Sequence, residues 1–91
     1  MDQLRAAIDD VDERLIKLLA ERFAVTRRVG YLKAEQGMAP IDADREAEIE
    51  AKSRRLAEEN GLDSDLVTDV LRSVIDRVVA EHQSIAANSR N

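Results

Sequence analysis

Residues 4–36, LRAAIDDVDERLIKLLAERFAVTRRVGYLKAEQ, decide the fold of this chain. One stripe of side chains recurs there at alternating intervals of four and three: Leu4, Ile8, Val11, Leu15, Leu18, Arg22, Val25, Val29, Leu32 and Gln36. This spacing is typical of an α-helix that buries one stripe along its whole length. Such a helix is about 50 Å long, whereas a compact domain of this chain length has a radius of gyration of only about 12 Å. We therefore expect a second chain to cover part of the stripe.

Cations interrupt the apolar pattern. Arg22 occupies a stripe position where the pattern favours Leu, and an unpaired guanidinium there is costly, so we expect it to meet a carboxylate or an anionic ligand. Lys33 lies about three helical turns further on and within about 20° of the same face. Arg5 lies about 25 Å before Arg22 and about 100° off that face. Arg5 and Arg22 can therefore contact one small ligand only if they belong to different, antiparallel chains.

The composition excludes several classes of function. The 91 residues fit one small domain, and the absence of Cys and the single His exclude disulfides, thiolate metal sites and multi-His clusters. A formal net charge of −5 and 2% aromatic residues argue against nucleic-acid binding. No apolar run approaches the length of a membrane span, and Met1-Asp2-Gln3 has no leader-like character. We therefore expect a soluble, cytoplasmic protein.

Helix-ending residues divide the chain into three helices of unequal length. Gly37 and Gly61 are typical of helix C-termini, Asp42 is the expected N-cap of the second helix, and Asp63 or Ser64 that of the third. We predict a single all-α domain over residues 1–91, with helix 1 at about 2–36, helix 2 at about 43–60, helix 3 at about 64–86 and a frayed tail over 87–91.

Two acidic residues and one histidine have both a structural and a functional interpretation. Asp42 and Glu46 near a helix start are favoured by the helix dipole, but Glu46 and the backbone near Asp42 could also face the pocket of Arg22 and Lys33. His82 continues the apolar stripe of the third helix, where a lone His is usually a satisfied core or interface residue. Spacing alone leaves both interpretations open.

Several short motifs follow one another without gaps: Leu4-Arg5-x-x-Ile8-Asp9-x-x-Asp12, Leu18-Leu19-Ala20-Glu21-Arg22, Val29-Gly30-x-x-Lys33, Asp42-x-x-Arg45-Glu46 and Gly61-Leu62-Asp63. In this order they resemble chorismate mutase of the all-helical AroQ class, over about residues 4–85. The resemblance implies an intertwined antiparallel homodimer of three-helix protomers, the chorismate mutase II type, with the long first helices paired across the dimer. That arrangement agrees with the expectation from the stripe and from Arg5.

The resemblance also implies an activity. Chorismate mutase converts chorismate to prephenate in aromatic amino acid biosynthesis by a pericyclic rearrangement that needs no metal, cofactor or covalent intermediate. The substrate is a dicarboxylate whose ether oxygen gains negative charge as its C–O bond breaks. A protein accelerates such a reaction by restraining the flexible substrate and by placing donors where charge develops.

By resemblance, three cations contact the charged parts of the substrate. Arg22 and Arg5 of the partner subunit clamp carboxylates with their two-pronged guanidinium groups. Lys33 reaches the ether oxygen and an adjacent carboxylate. Together with His82, whose role is described below, Lys33 and Arg22 are the expected catalytic residues.

The remaining implied contacts are polar and come from the second helix. Glu46, together with the backbone at Asp42, binds the ring hydroxyl group of the substrate. Arg45 lines the pocket and helps to hold its acidic neighbours.

The third helix departs from the family pattern at two positions. Val78 stands where family members commonly have Ser, so it is expected as a pocket wall that lacks one hydrogen bond to the substrate. His82 stands where a Gln commonly donates to the ether oxygen. A slip of one residue would bring in Gln83 but would rotate the apolar stripe by about 100°, so His82 is favoured. An imidazole donates from one nitrogen when neutral and is a better donor when protonated.

Other functions fit parts of the same pattern. Isochorismate pyruvate lyases and mutases acting on 4-amino-4-deoxychorismate share this fold and cationic pocket. A non-enzymatic helical dimerisation module would explain the repeat but not Arg22 and Lys33 on its buried face. The sequence leaves open which dicarboxylate is bound and whether a partner enzyme regulates the protein.

Overall fold

Three α-helices form the protein, in a computed structural model that describes residues 1–89. The helices are α1 at Asp2–Glu35, α2 at Ala43–Glu59 and α3 at Ser64–Ser89. No strand occurs among the described residues, so the all-α prediction is confirmed.

Glycines end the first two helices, as the sequence predicts. Gly37 has a φ of 67° and Gly61 a φ of 69°, a region that side chains with a Cβ rarely adopt. The N–H of Met38 then donates to the carbonyl of Lys33 at 2.8 Å, and the equivalent bond follows Gly61. These bonds satisfy carbonyl groups that the helix end would otherwise leave open.

Aspartates cap the two helices that follow. The carboxylate of Asp42 accepts the N–H of Arg45 at 3.0 Å at the start of α2. Of the two candidates for α3, Asp63 is the cap, because its carboxylate accepts the N–H of Asp65 at 2.8 Å. Each cap fixes where its helix begins, and the first one places Arg45 and Glu46 in the opening turn of α2.

The end of α3 differs from its predicted boundary near residue 86. The helix runs to Ser89, so residues 87–89 of the predicted frayed tail are helical. Ala86 and Ala87 favour helix, and the hydroxyl of Ser89 donates to the carbonyl of Ile85 at 2.9 Å. Residues 90–91 of that predicted tail lie outside the described part of the chain.

α3 is the central element. It packs against both α1 and α2, whereas α1 and α2 do not pack against each other within residues 1–89. The contacts of α1 come from its C-terminal half, and residues 1–18 are all exposed. The protomer therefore measures 54 × 26 × 14 Å, and its radius of gyration of 16.2 Å exceeds the value of about 12 Å for a compact domain.

The apolar stripe of α1 has no cover along its N-terminal half. Leu4 is 65% exposed and Leu18 is 60% exposed, and the stripe residues between them are more than half exposed as well. Among the described residues, the buried apolar side chains are Ala57 and Ile75. A single protomer thus buries little of the surface that its sequence pattern marks for burial. No helix of the described chain combines the length and apolar character needed to cross a membrane.

Candidate functional site

A cleft of about 410 Å³ lies between the C-terminal half of α1, the start of α2 and the middle of α3. It brings together all the predicted site residues except Arg5 and Gln83: Arg22, Lys33, Asp42, Arg45, Glu46, Val78 and His82. These residues come from all three helices and are up to sixty positions apart, since Arg22 and His82 face the same space.

Arg22 lies in the wall of the cleft with an unused donor. Its side chain is half-buried, and its Nη1 atom is buried without a hydrogen-bond partner within the described chain. A buried guanidinium nitrogen left unpaired carries a desolvation cost. No carboxylate of residues 1–89 forms an ion pair with Arg22, so an anionic ligand is the group that would satisfy it.

Lys33 brings a second cation to the cleft from the last turn of α1. Lys33 is half-buried, and its ammonium lies 3.5 Å from the carbonyl oxygen of Pro40. An ammonium has three donors, and this weak contact occupies one of them. The remaining two are available to a ligand in the cleft.

Glu46 is held by a residue that the sequence did not point to. Its Oε1 accepts a hydrogen bond of 2.7 Å from Nη1 of Arg72 on α3, and this bond is the main cause that raises the pKa of Arg72 above its ordinary value. Arg45, expected to hold acidic neighbours, pairs instead with Glu48 at 3.2 Å, although its backbone N–H does bind Asp42. No local signal marks Arg72, because its contact with Glu46 exists only once α2 has packed on α3.

His82 is buried, at 5% exposure, and its ring is fixed by the backbone of α1. Nε2 lies 2.7 Å from the carbonyl oxygen of Thr26, which can only accept, so Nε2 carries a proton and donates. Nδ1 is buried and has no partner in the described chain. The neutral ring therefore presents only an acceptor at Nδ1, and donation from Nδ1 requires the imidazolium form.

Gly30 makes room for this imidazole. A Cβ at position 30 would lie 2.6 Å from Cδ2 of His82 and 3.0 Å from Cδ1 of Ile85. Side chains do not tolerate the first of these distances, so any larger residue would displace the ring. The sequence analysis found Gly30 in a motif with Lys33, but its role next to His82 appears only in the packing of α3 on α1.

Two predicted residues lie outside the cleft. Gln83 is exposed and does not line it, so the register that places His82 in the cleft is the one that the structure adopts. Arg5 is exposed on the projecting half of α1 and contributes nothing to the cleft of its own protomer. Val78 lines the cleft, next to Ile75 and Val79, and provides an apolar wall.

The charges around the cleft favour an anion. Three cations line it against the two carboxylates of Asp42 and Glu46, and Arg72 already offsets the second of these. This excess of positive charge occurs on a chain whose formal net charge is −5. Within residues 1–89, no group of His or acidic side chains has the arrangement of a metal site.

Known proteins are similar to this chain over most of its length. The family model for chorismate mutase type II matches residues 4–83. The T-protein of Enterobacter agglomerans is 42% identical over 72 residues and that of Haemophilus influenzae 36% identical over 72 residues; each match covers 79% of this chain and 19% of the relative. A chorismate mutase of Methanocaldococcus jannaschii is 26% identical over 89 residues, which cover 98% of this chain and 90% of that protein.

This chain thus spans about a fifth of the length of the T-proteins and nearly the whole of the archaeal enzyme. The family model covers most of the chain, including every residue assigned to the cleft, from Arg22 to His82. The chain therefore belongs to the chorismate mutase type II family.

Proposed function

We propose that this protein catalyses the rearrangement of chorismate to prephenate. The proposal depends on the buried Nη1 of Arg22, which has no partner in the described chain and shares an apolar-walled cleft with the half-buried residue Lys33. A dicarboxylate with an apolar ring fits such a cleft, because its charges pair with the cations while its ring contacts Val78 and Ile75.

The chemistry needs restraint and charge stabilisation. In the rearrangement the ether C–O bond breaks as a C–C bond forms, and negative charge develops on the ether oxygen. Arg22 binds a carboxylate of the folded substrate, and Lys33 donates to the ether oxygen, where its contribution is largest in the transition state. Glu46 accepts a hydrogen bond from the ring hydroxyl. No side chain needs to take or give a proton in this scheme.

His82 contributes to the same oxygen in one protonation state only. Because Nε2 is bound to the carbonyl of Thr26, an ether oxygen can receive a hydrogen bond only from a protonated Nδ1.

We further propose that the working form is an antiparallel homodimer with two shared sites. The exposed stripe from Leu4 to Leu18 would be covered by the same stripe of a second protomer. Arg5 of the partner subunit would then approach the cleft and bind the second carboxylate. On the sequence argument alone, we also propose a cytoplasmic location.

The proposal is tested by offering the purified protein chorismate, isochorismate and 4-amino-4-deoxychorismate separately. We expect chorismate to be consumed and prephenate to be identified as the product by NMR. Salicylate and pyruvate from isochorismate would instead show a lyase, and turnover of the amino compound alone would show a related mutase. No product from any of the three would contradict an enzymatic role.

A matched pair of variants connects that activity to the cleft. Arg22→Gln removes the unpartnered guanidinium, whereas Arg28→Gln removes an exposed arginine of the same helix that does not line the cleft. We expect only the first to abolish turnover. Equal effects of the two changes would contradict the assignment of this cleft as the active site.

A further inference from the structure

Glu46 enters the cleft from α2 but is anchored by α3. Its side chain is only 21% exposed, and the 2.7 Å bond to Arg72 is the shortest ion pair in the described chain. Arg72 is anchored in turn, because its Nη1 also lies 3.5 Å from the carboxylate of Asp76, one turn further along α3. The orientation of Glu46 is thus set by the packing of α2 on α3.

The two oxygens of Glu46 have different surroundings. Oε1 is occupied by the guanidinium of Arg72, which can donate but never accept. No hydrogen bond reaches Oε2 from any of residues 1–89, so it is the oxygen left for a ligand. The carboxylate of such an ion pair accepts hydrogen bonds through its oxygens.

We propose that Arg72 is a positioning residue, which holds Glu46 in a fixed orientation as the acceptor for the hydroxyl group of the bound substrate. This inference rests on the proposed function and extends it to a residue outside the lining of the cleft. It also defines a specificity: the cleft accepts a substrate that donates a hydrogen bond at this position. A substrate without a donor there would leave Oε2 of Glu46 without a hydrogen bond when water is excluded.

The chain contains a close control for Arg72. Arg54 also links α2 to α3, through a 3.2 Å contact between its Nη1 and the carboxylate of Asp65. The two arginine side chains are similarly exposed, at 47% for Arg72 and 43% for Arg54. Arg54 does not line the cleft and contacts none of its residues through this pair. Removing either one breaks an ion pair between the same two helices.

The experiment compares the kinetics and the Tm of Arg72→Gln, Arg72→Lys and Arg54→Gln with those of the wild type. We expect Arg72→Gln to lower kcat/KM for chorismate about 10-fold to 100-fold, because a displaced acceptor no longer orients the substrate. Arg72→Lys, which keeps the charge, should recover part of the loss. Arg54→Gln should remain within about twofold of wild type, and both Gln variants should remain folded with only small decreases in Tm.

A double variant separates positioning from general damage. If Arg72 acts through Glu46, then Arg72→Gln should cost little further activity in a Glu46→Gln background, because the group it positions is already changed. Three results would each overturn the inference. Arg72→Gln could retain wild-type activity, or it could lose no more activity than Arg54→Gln does. It could also reduce activity in the Glu46→Gln background by the same factor as in the wild type. A wild-type protein that converts no chorismate would reject the proposed function and this inference with it.

Discussion

The two halves of α1 follow the same repeat but differ in what covers them. The C-terminal half packs on α3 and forms one wall of the cleft. Its residues line the cleft or contact His82 of α3, as is the case for Arg22, Thr26, Gly30 and Lys33. The N-terminal half, residues 1–18, is exposed throughout. A helical repeat therefore predicts that a stripe of side chains is buried, but it does not predict whether the same protomer or a second one covers that stripe. In the proposed dimer, one half serves the fold of its own protomer and the other half completes the neighbour's site.

The largest effect is expected from a charge on the uncovered half. Leu15→Glu places a carboxylate in the middle of the exposed stripe, so we expect loss of the dimer and of all measurable activity. Sedimentation would show the mass of the species present. The matched change Ile16→Glu alters an exposed residue outside the stripe and should preserve both properties. A fully active Leu15→Glu monomer would show that this half of α1 serves no assembly.

In the covered C-terminal half of α1, we expect a substitution to lower the rate of the reaction rather than to disrupt assembly. Lys33→Ala removes a donor to the developing negative charge, and we expect kcat to fall about 100-fold or more. Circular dichroism and the dimer mass should remain unchanged, because the ammonium makes only a 3.5 Å contact with Pro40. A near-normal kcat in a folded Lys33→Ala dimer would remove Lys33 from the mechanism.

Complementation directly connects the two halves. Arg5→Ala and Arg22→Ala should each be nearly inactive, but a mixture that exchanges subunits should regain about a quarter of wild-type activity. Half of the dimers would be mixed, and each mixed dimer would have one intact site. Activity that stays at the level of either variant after exchange would contradict the shared site.

A smaller effect concerns pH. Because Nε2 is bound to the carbonyl of Thr26, His82 can donate from Nδ1 only when it carries a second proton, so we expect turnover to rise as the pH falls. His82→Gln, whose amide donates without an added proton, should give a flat profile. Wild type and His82→Gln with identical profiles would show that the imidazole does not act as a cation.

The smallest expected effect is on stability. Gly30→Ala places a Cβ within 2.6 Å of the imidazole of His82, and overpacking of this kind costs about 1–3 kcal/mol. The better helix propensity of Ala offsets up to about 1 kcal/mol of that cost. We therefore expect a lower Tm, and we expect His82→Ala in the same chain to relieve the crowding. A Tm for Gly30→Ala equal to that of wild type would show that α3 shifts without cost.

Local signals predicted the elements of this fold. Gly37, Gly61, Asp42 and Asp63 act through bonds to residues within five positions, so their roles could be inferred from the sequence. Arg22 could be singled out because it breaks an apolar repeat, and its position in the cleft agrees with that inference. Seven of the cleft residues were reached in this way or through the family resemblance.

Contacts between distant residues could not be predicted. The bond from Arg72 to Glu46 joins residues 26 positions apart and depends on how α2 docks on α3. The acceptor for His82 is the backbone carbonyl of Thr26, a group that every residue carries and that no pattern distinguishes. These contacts determine which nitrogen of the His82 imidazole and which oxygen of the Glu46 carboxylate remain for a ligand. The sequence therefore identified the two side chains but not the atoms that can bind a ligand.

The small interior of the protomer has a consequence for how the protein behaves at different concentrations. Ala57 and Ile75 are the buried apolar residues of the described chain, so we expect a protomer released from the proposed dimer to have too little core to remain folded. Dilution is therefore expected to unfold the protein rather than to release a folded monomer, and the Tm should increase with protein concentration.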